Sequence, residues 1–479
     1  MTATSPTQGG VAVVRLSGSG AAEVARRCFR TPQALRGGGD GVSGGGVEAQ
    51  EARMGGWVPE SHRAEYGYVV DGAGAVVDEV LLLPMLAPRS FTAEDVIELQ
   101  GHGGAVCPER VLSACVAAGA RLARPGEFSL RAYRNGRLDL TQAEAVQRLI
   151  ASRTSRAADA ALSAARGGLG DEVRALRDAL IDVLVEVEAR IDFEEELPPL
   201  DVPAVSEATS SCARRAREAA ATAARGRALE QGIAVALVGR PNTGKSSLLN
   251  AWTESERSIV TAMPGTTRDV VEAPLVLADS GVPVRLLDTA GIRDAVSDEV
   301  EAIGVARSRD AAGEADAVVM VISAEEGWTD ADAGVWESVA DGANDVTAVL
   351  VVNKTDLRDA AEAAAGVPEA VRARFAAVVG TSALQRQGMP ELEAALLAGA
   401  AAAATGGGAA WAANARQGEA LLRAAGALES LEQSIATDLP LDCWTVDLRE
   451  AIMTLGEVSG EEVKEEVLDR VFSTFCIGK

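Results

Sequence analysis

Eight residues, Gly239 to Ser246, read GRPNTGKS and fit the spacing G-x-x-x-x-G-K-[ST], in which a backbone closes around a polyphosphate. The glycines let successive N–H groups approach phosphate oxygens, and a helix starting there adds its positive end. Lys245 should reach the β- and γ-phosphates, and the Ser246 hydroxyl should ligate magnesium. A second motif, NKTD (Asn353, Lys354, Asp356), adds base selectivity. A carboxylate accepts from both N–H groups of guanine and would meet adenine with the wrong edge. TSA, with Ser382 and Ala383, is placed to contact the base oxygen. DTAGI, from Asp288 through Gly291 to Ile292, resembles the segment that senses the γ-phosphate and its magnesium. With all four motifs in order, the chemistry is that of a GTPase.

One part of that chemistry is missing. Ras-type enzymes carry a water-orienting glutamine shortly after the glycine of the DTAG segment. Ile292 stands there instead and cannot hold a water. Upstream, TAMPGTTRD (Thr261 to Asp269) contains a Gly-Thr-Thr signature with Thr267 as the expected second magnesium ligand. Asn242 sits just before the phosphate cradle. Its amide oxygen, with carbonyls of a folded-over loop, could hold a monovalent cation against the phosphates. Such a cation would supply the positive charge that an arginine finger brings elsewhere. Carboxylates in RDAVSDEVEAIG could then position the water.

The elements that must hold these residues are legible around them. Short apolar strands (IAVALVG, VRLLDTAG, ADAVVMVIS, VTAVLVVNK, FAAVVGTSA) alternate with helical patterns, which indicates a parallel sheet covered on both faces. The phosphate loop lies between the first of these strands and the helical SLLNAW. From about 140 to 230 the pattern is helical, and Val173, Leu176, Leu180, Leu184 and Val187 share one face. After the low-complexity AGAAAAATGGGAA the chain is helical again, ending in a stripe of Val463, Val467, Leu468, Val471, Phe472 and Phe475. Helices before and after the α/β unit would pack as one domain, with the α/β unit inserted. The first 130 residues mix β-rich and helical runs, an α+β reading, with a glycine-rich insertion between Arg36 and Gly46.

Composition bounds the alternatives. The chain has 479 residues, enough for about three or four domains. A net charge of −25 argues against indiscriminate coating of nucleic acid. A local basic stretch does exist: Arg121, Arg124, Arg131, Arg134 and Arg137 face only Glu127, as a patch or as an ion-paired face. Six scattered cysteines without a C-x-x-C pair suggest neither a zinc site nor a disulfide framework. Only His62 and His102 are present, which disfavours histidine-based metal or triad chemistry. No apolar run is long enough for a membrane span, and the start shows neither a signal core nor a transit segment.

The chain resembles the MnmE (TrmE) family of tRNA modification GTPases, in its cyanobacterial and plastid flavour. The resemblance rests on GGVAVVRLSG, APRSFTAEDVIELQGHGG, RPGEFSLRAYRNGRLDLTQAEAV, RIDFEEELPPL, GRPNTGKSSLLNAW, PGTTRDVVE, DTAGIRD and the terminal FCIGK. It implies a folate-binding, dimerising α+β domain over residues 1–130, an all-α helical domain over 131–231 and 398–479, and a Ras-like α/β P-loop GTPase domain inserted over 232–397. It implies GTP contacts at Asn242, Thr243, Gly244, Lys245, Ser246, Ser247, Thr261, Ala262, Met263, Pro264, Gly265, Thr266, Thr267, Asp288, Thr289, Ala290, Gly291, Asn353, Lys354, Asp356, Ser382 and Ala383. Magnesium would go to Ser246 and Thr267, and potassium to Asn242, Thr261, Met263 (through its carbonyl) and Thr266. Glu301 would organise the catalytic water, although RDAVSDEVE is one residue longer than is usual before it. A tetrahydrofolate such as the 5-formyl form would meet Arg15, Glu98, Arg137 and Lys479. Cys476, near the C-terminus beside Lys479, reads either as a nucleophile or as a small residue packing beside Phe475 while the tail delivers Lys479.

As implied partners the family brings a homodimer, an FAD-using MnmG (GidA) protein in a heterotetramer, and tRNA modified at carbon 5 of the wobble uridine. The compartment would be the cytoplasm of a bacterium, or a chloroplast or mitochondrion of a eukaryote. Competing readings are a ribosome-assembly GTPase of the Era or Der kind, a folate-dependent aminomethyl-transfer protein with an incidental GTPase, and a potassium-dimerised scaffold. One departure is at the start: family members have a β-strand before the Gly-Gly turn, where only MTATSPTQ precedes Gly9, so either the start is truncated or processed or the sheet would lack an edge.

Overall fold

A computed structural model describes residues 2–3, 9–37, 57–152, 154–193, 197–253, 275–277, 282–287, 315–340, 346–400 and 410–475. By packing, the chain divides into two compact units, residues 1–147 with 459–479, and residues 148–458.

The first unit is built on an antiparallel sheet of β1 (Thr2–Ala3), β2 (Val11–Ser17), β3 (Phe29–Arg30), β4 (Glu65–Val70), β5 (Val76–Met85) and β6 (Val96–His102). Their spatial order is β1-β2-β6-β5-β4-β3. Along β2 the burial alternates with the two-residue period of a strand, so Ala12, Val14 and Leu16 face the core. Helices Ala21–Cys28 and Val106–Ala117 contribute Ala25, Cys28, Ala114 and Cys115 to that core. The sulfurs of Cys28 and Cys115 are 3.8 Å apart as buried thiols. The expectation of a missing edge is corrected: Thr2 pairs with Arg15 and Ala3 with Val14, so two residues suffice to form an edge strand.

Within the same unit, helices Glu127–Arg134, Leu140–Ala151 and Glu465–Ser473 share a small core of Leu140, Ala143, Leu468, Phe472 and Phe475. The chain comes close enough at Gly126 that a Cβ there would lie 2.2 Å from the Phe472 carbonyl oxygen. The C-terminal stripe narrows accordingly. Leu468, Phe472 and Phe475 follow i, i+4, i+7 and are buried, whereas Val467, one position off that face, is exposed.

Among the described residues the arginine-rich stretch forms ion pairs through Arg121, Arg131 and Arg134. Arg121 and Arg131 both donate to Glu127, Arg131 also reaches Glu94 at 2.8 Å, and Arg134 pairs with Glu465. The Arg121 guanidinium is the main reason that the Glu127 carboxyl titrates at about 2.

In the second unit, helices Gly168–Asp192, Val202–Gln231, Ala415–Ala436 and Leu441–Ser459 form one core containing Val173, Leu176, Leu180, Leu421, Leu428 and Leu448. The predicted face of the first helix is the buried one, with Leu184 half-buried at its margin. Two side chains start helices at definite positions. Asp201 accepts from the Ala204 N–H, and Asn414 forms a reciprocal capping box with Gln417. Residues 202–231 precede the α/β insertion and residues 415–436 follow it, and they pack against each other. At their contact a Cβ on Gly226 would sit 2.2 Å from the Ala413 carbonyl oxygen.

Gly232, at φ 78°, turns the chain from the long helix into the inserted sheet. Its strands are β7 (Ile233–Val238), β8 (Leu275–Leu277), β9 (Val282–Leu287), β10 (Ala317–Ser323), β11 (Thr347–Asn353) and β12 (Ala377–Thr381). They lie in the order β12-β11-β10-β7-β9-β8, all parallel except for the β8–β9 pair. Every residue of β7 and β10 is buried, as strands covered on both faces must be. One face packs Val235, Val319, Val351, Leu248 and Trp252, and the other packs Val238, Met320, Leu350, Trp336 and Phe375.

Candidate nucleotide-binding site

The phosphate loop leaves the C-terminal end of β7 and enters helix Lys245–Thr253. This is the end of a parallel sheet at which open α/β folds bind their ligands. Two of its residues adopt backbone angles that its shape demands. Gly239 has φ 145°, and a Cβ there would lie 2.3 Å from the Val321 carbonyl oxygen. Gly244 has φ 92°, and its Cβ would lie 2.3 Å from Asn353 Nδ2. Asn242, between them, is exposed and left-handed at φ 64°. Thr243 is buried, and its hydroxyl donates to the Arg240 carbonyl at 3.0 Å. Ser246 lies half-buried in the first helical turn and Ser247 is exposed beside it. The Ser246 hydroxyl is a hard oxygen donor of the kind magnesium takes.

Lys245 Nζ donates to the carbonyls of Gly239 and Arg240, both at 2.6 Å, and so spans the cradle. Burial, and then the charge of Arg240, lower its pKa to about 8. A bound polyphosphate would favour the ammonium form. Nucleotide binding should therefore take up a proton above pH 8. We expect GTP affinity to stay flat up to about pH 8 and then to fall by up to about tenfold per pH unit. Titration of a fluorescent GTP analogue between pH 7 and 10 checks this, and an affinity independent of pH would refute it.

The NKTD and TSA loops are fastened to the phosphate loop through Asn353. Its amide donates to the Thr243 carbonyl at 3.0 Å and accepts from the Thr381 hydroxyl at 3.2 Å and the Ala383 N–H at 3.1 Å. It is 1% exposed, so its side chain serves as a staple within the protein. Asp356 is exposed, and its Oδ1 accepts from the buried Ser382 hydroxyl at 2.6 Å, which fixes the carboxylate's orientation. Lys354 is left-handed at φ 66° between these two residues. Ser382 and Gln387 exchange backbone hydrogen bonds of 3.1 Å and close the TSA loop.

A further group was not legible from the motifs. Arg240, inside the phosphate loop, donates from Nε to Asp332 at 2.8 Å and from its terminal nitrogen to Glu326 at 2.7 Å. The T-x-x-D spacing of Thr329 and Asp332 is the signal that was available, since it marks a helix start. Thr261, Ala262, Met263, Pro264, Gly265, Thr266, Thr267, Asp288, Thr289, Ala290, Gly291 and Glu301 lie outside the described residues, as do Cys476 and Lys479.

In the first unit, Arg15 on β2 and Glu98 on β6 are cross-strand partners. The guanidinium donates to one carboxylate oxygen through Nε at 2.8 Å and through its terminal nitrogen at 2.6 Å. It also lies 5.8 Å from the centre of the Phe128 ring. Arg137 is exposed on the turn after helix Glu127–Arg134.

A six-stranded α/β sheet carrying a phosphate loop and the NKTD and TSA motifs, set between helices that share one core, defines a P-loop GTPase inserted in a helical domain. A family model described as the MnmE helical domain matches residues 140–476, and one described as the GTP-binding protein TrmE N-terminus matches residues 1–137. The chain is 49% identical over 481 aligned residues to a tRNA modification GTPase MnmE of Synechococcus elongatus, covering 100% of this chain and 97% of the relative. It is 47% identical to that of Acaryochloris marina, covering 100% and 98%. Among solved structures, Era in complex with MgGDPNP and 16S ribosomal RNA nucleotides matches over 35% of this chain and 56% of its own, with 25% identity and a TM-score of 0.26. The chain belongs to the MnmE family of tRNA modification GTPases, and it is a GTP hydrolase.

Proposed function

We propose that this GTPase modifies carbon 5 of the tRNA wobble uridine, together with an MnmG-type FAD protein and with a tetrahydrofolate as one-carbon donor. The observation that carries the reading is kinship along the whole chain to proteins named for tRNA modification. A GTPase domain on its own would leave the flanking regions without a role. The test is mass spectrometry of wobble uridines from a strain deleted for the gene, with and without its return. Loss and recovery of the carboxymethylaminomethyl-type group is expected. Unchanged wobble uridines with a ribosome-assembly defect would favour an Era-like switch instead.

The finer assignments rest on the resemblance to the family. Ser246 with Thr267 would hold magnesium, which neutralises charge on the β- and γ-phosphates when bound. Glu301 would orient the attacking water in place of the glutamine that Ile292 excludes. Arg15, Glu98, Arg137 and Lys479 would bind the folate, and the buttressing of Arg15 by Glu98 supports a fixed guanidinium there. Cys476 would pack as a small residue while the tail delivers Lys479. A homodimer, joined by its MnmG partner in a heterotetramer, would act on tRNA. We place it in a bacterial cytoplasm, which the cyanobacterial sources of its relatives support. Among the described residues no helix is long and apolar enough to cross a membrane.

Potassium would be held by Asn242, Thr261, Met263 and Thr266. The exposed, left-handed Asn242 next to the phosphate cradle supports this. Turnover should then require potassium, and sodium should not replace it. Asn242→Ala should lose the potassium effect yet keep nucleotide binding, because the backbone cradle remains. Equal initial rates in potassium and sodium salts would refute the assignment.

A further inference from the structure

We propose that Asp332 is a positioning residue for GTP binding, holding the phosphate loop in its binding shape through Arg240. Asp332 is fully buried at the start of helix Asp330–Ala340, on a different element from the loop it grips. Its two oxygens divide the work. Oδ1 accepts from Arg240 Nε at 2.8 Å. Oδ2 accepts from the Thr329 N–H at 3.0 Å and the Thr329 hydroxyl at 2.7 Å, so the carboxylate is itself fixed by the helix start. Glu326 takes the remaining arm of the Arg240 guanidinium.

What this fastening controls is the backbone of Arg240. That carbonyl accepts from Lys245 Nζ at 2.6 Å and from the Thr243 hydroxyl at 3.0 Å. One peptide group therefore orients both the phosphate-binding lysine and the residue whose own carbonyl receives Asn353. A buried carboxylate paired with a guanidinium gives a directional, charge-assisted contact, and removing either member leaves the other only its second partner, Glu326 for Arg240 and Thr329 for Asp332. Helix capping alone would need only the Oδ2 side of Asp332. The Oδ1 side has no capping role and points the helix start at the phosphate loop.

The inference rests on Gly239–Ser246 being the nucleotide cradle, and the experiment separates the two claims. Affinity for a fluorescent GDP is measured by stopped-flow on the full chain, for wild type, Asp332→Asn, Arg240→Met, the double variant and Thr329→Ala. Wild type that fails to bind GDP overturns the cradle itself. If it binds, Asp332→Asn and Arg240→Met should each weaken binding by about tenfold to hundredfold. The double variant should be no weaker than the worse single one. Thr329→Ala should lower the melting temperature yet keep affinity within about threefold, since it spares Oδ1. Wild-type affinity in Arg240→Met, losses that multiply in the double variant, or an equal loss in Thr329→Ala would each overturn the proposal. Should Asp332→Asn fail to fold, the comparison of Arg240→Met with Thr329→Ala decides alone.

Discussion

Gly244→Val should weaken GTP binding by about 10³-fold or more while the helical domain stays folded. Three costs converge on that one position. At φ 92° an L-residue is strained by about 1–2 kcal/mol. The new Cβ would lie 2.3 Å from Asn353 Nδ2, so Asn353 must move. Moving it breaks the bond to the Thr243 carbonyl and those from Thr381 and Ala383. Buried polar groups left unpaired cost about 1–3 kcal/mol each. The damage therefore reaches both the phosphate end and the base end of the site. Isothermal titration with GTP, beside far-UV circular dichroism, measures it. Binding within tenfold of wild type would show that Asn353 does not staple the two loops together.

This staple marks the limit of what the sequence discloses. Gly239, Gly244 and Lys245 were legible because phosphate chemistry dictates their order within eight consecutive residues. The parallel sheet was legible from apolar runs, and the face bearing Val173, Leu176 and Leu180 from helical period. Asn353 belongs to a motif that suggests contact with the nucleotide, yet its amide turns inward, which no local pattern encodes. Arg240 and Asp332 meet across 92 positions, and Arg134 and Glu465 across 331. Pairings of that separation depend on how the sheets and helices stack, and a single sequence records no such distance. The exposure of Val467 has the same origin: six apolar residues offered a stripe, and packing buried Leu468, Phe472 and Phe475, left Val463 and Val471 half-buried beside them, and kept Val467 outside.

Asp356→Asn should transfer the preference of the site from GTP to xanthosine triphosphate. The carboxylate is held at Oδ1 by the Ser382 hydroxyl, 2.6 Å away, on a residue that is otherwise exposed. Two acceptor oxygens match the N1–H and the 2-amino group of guanine. An asparagine keeps one acceptor and presents an NH₂ group where the second stood, so donor would face donor at the 2-amino position. Xanthine carries a carbonyl there and retains N1–H, which restores both hydrogen bonds. Sites built on buried or fixed polar partners reject a mismatched ligand by about 10⁴-fold, and GTP affinity should fall on that scale. The Ser382 hydroxyl can still donate to the amide oxygen, so the loop itself should remain in place. Competition of the two triphosphates against a fluorescent GDP or XDP measures the exchange. If Asp356→Asn keeps GTP affinity and gains none for the xanthine nucleotide, Asp356 does not read the base.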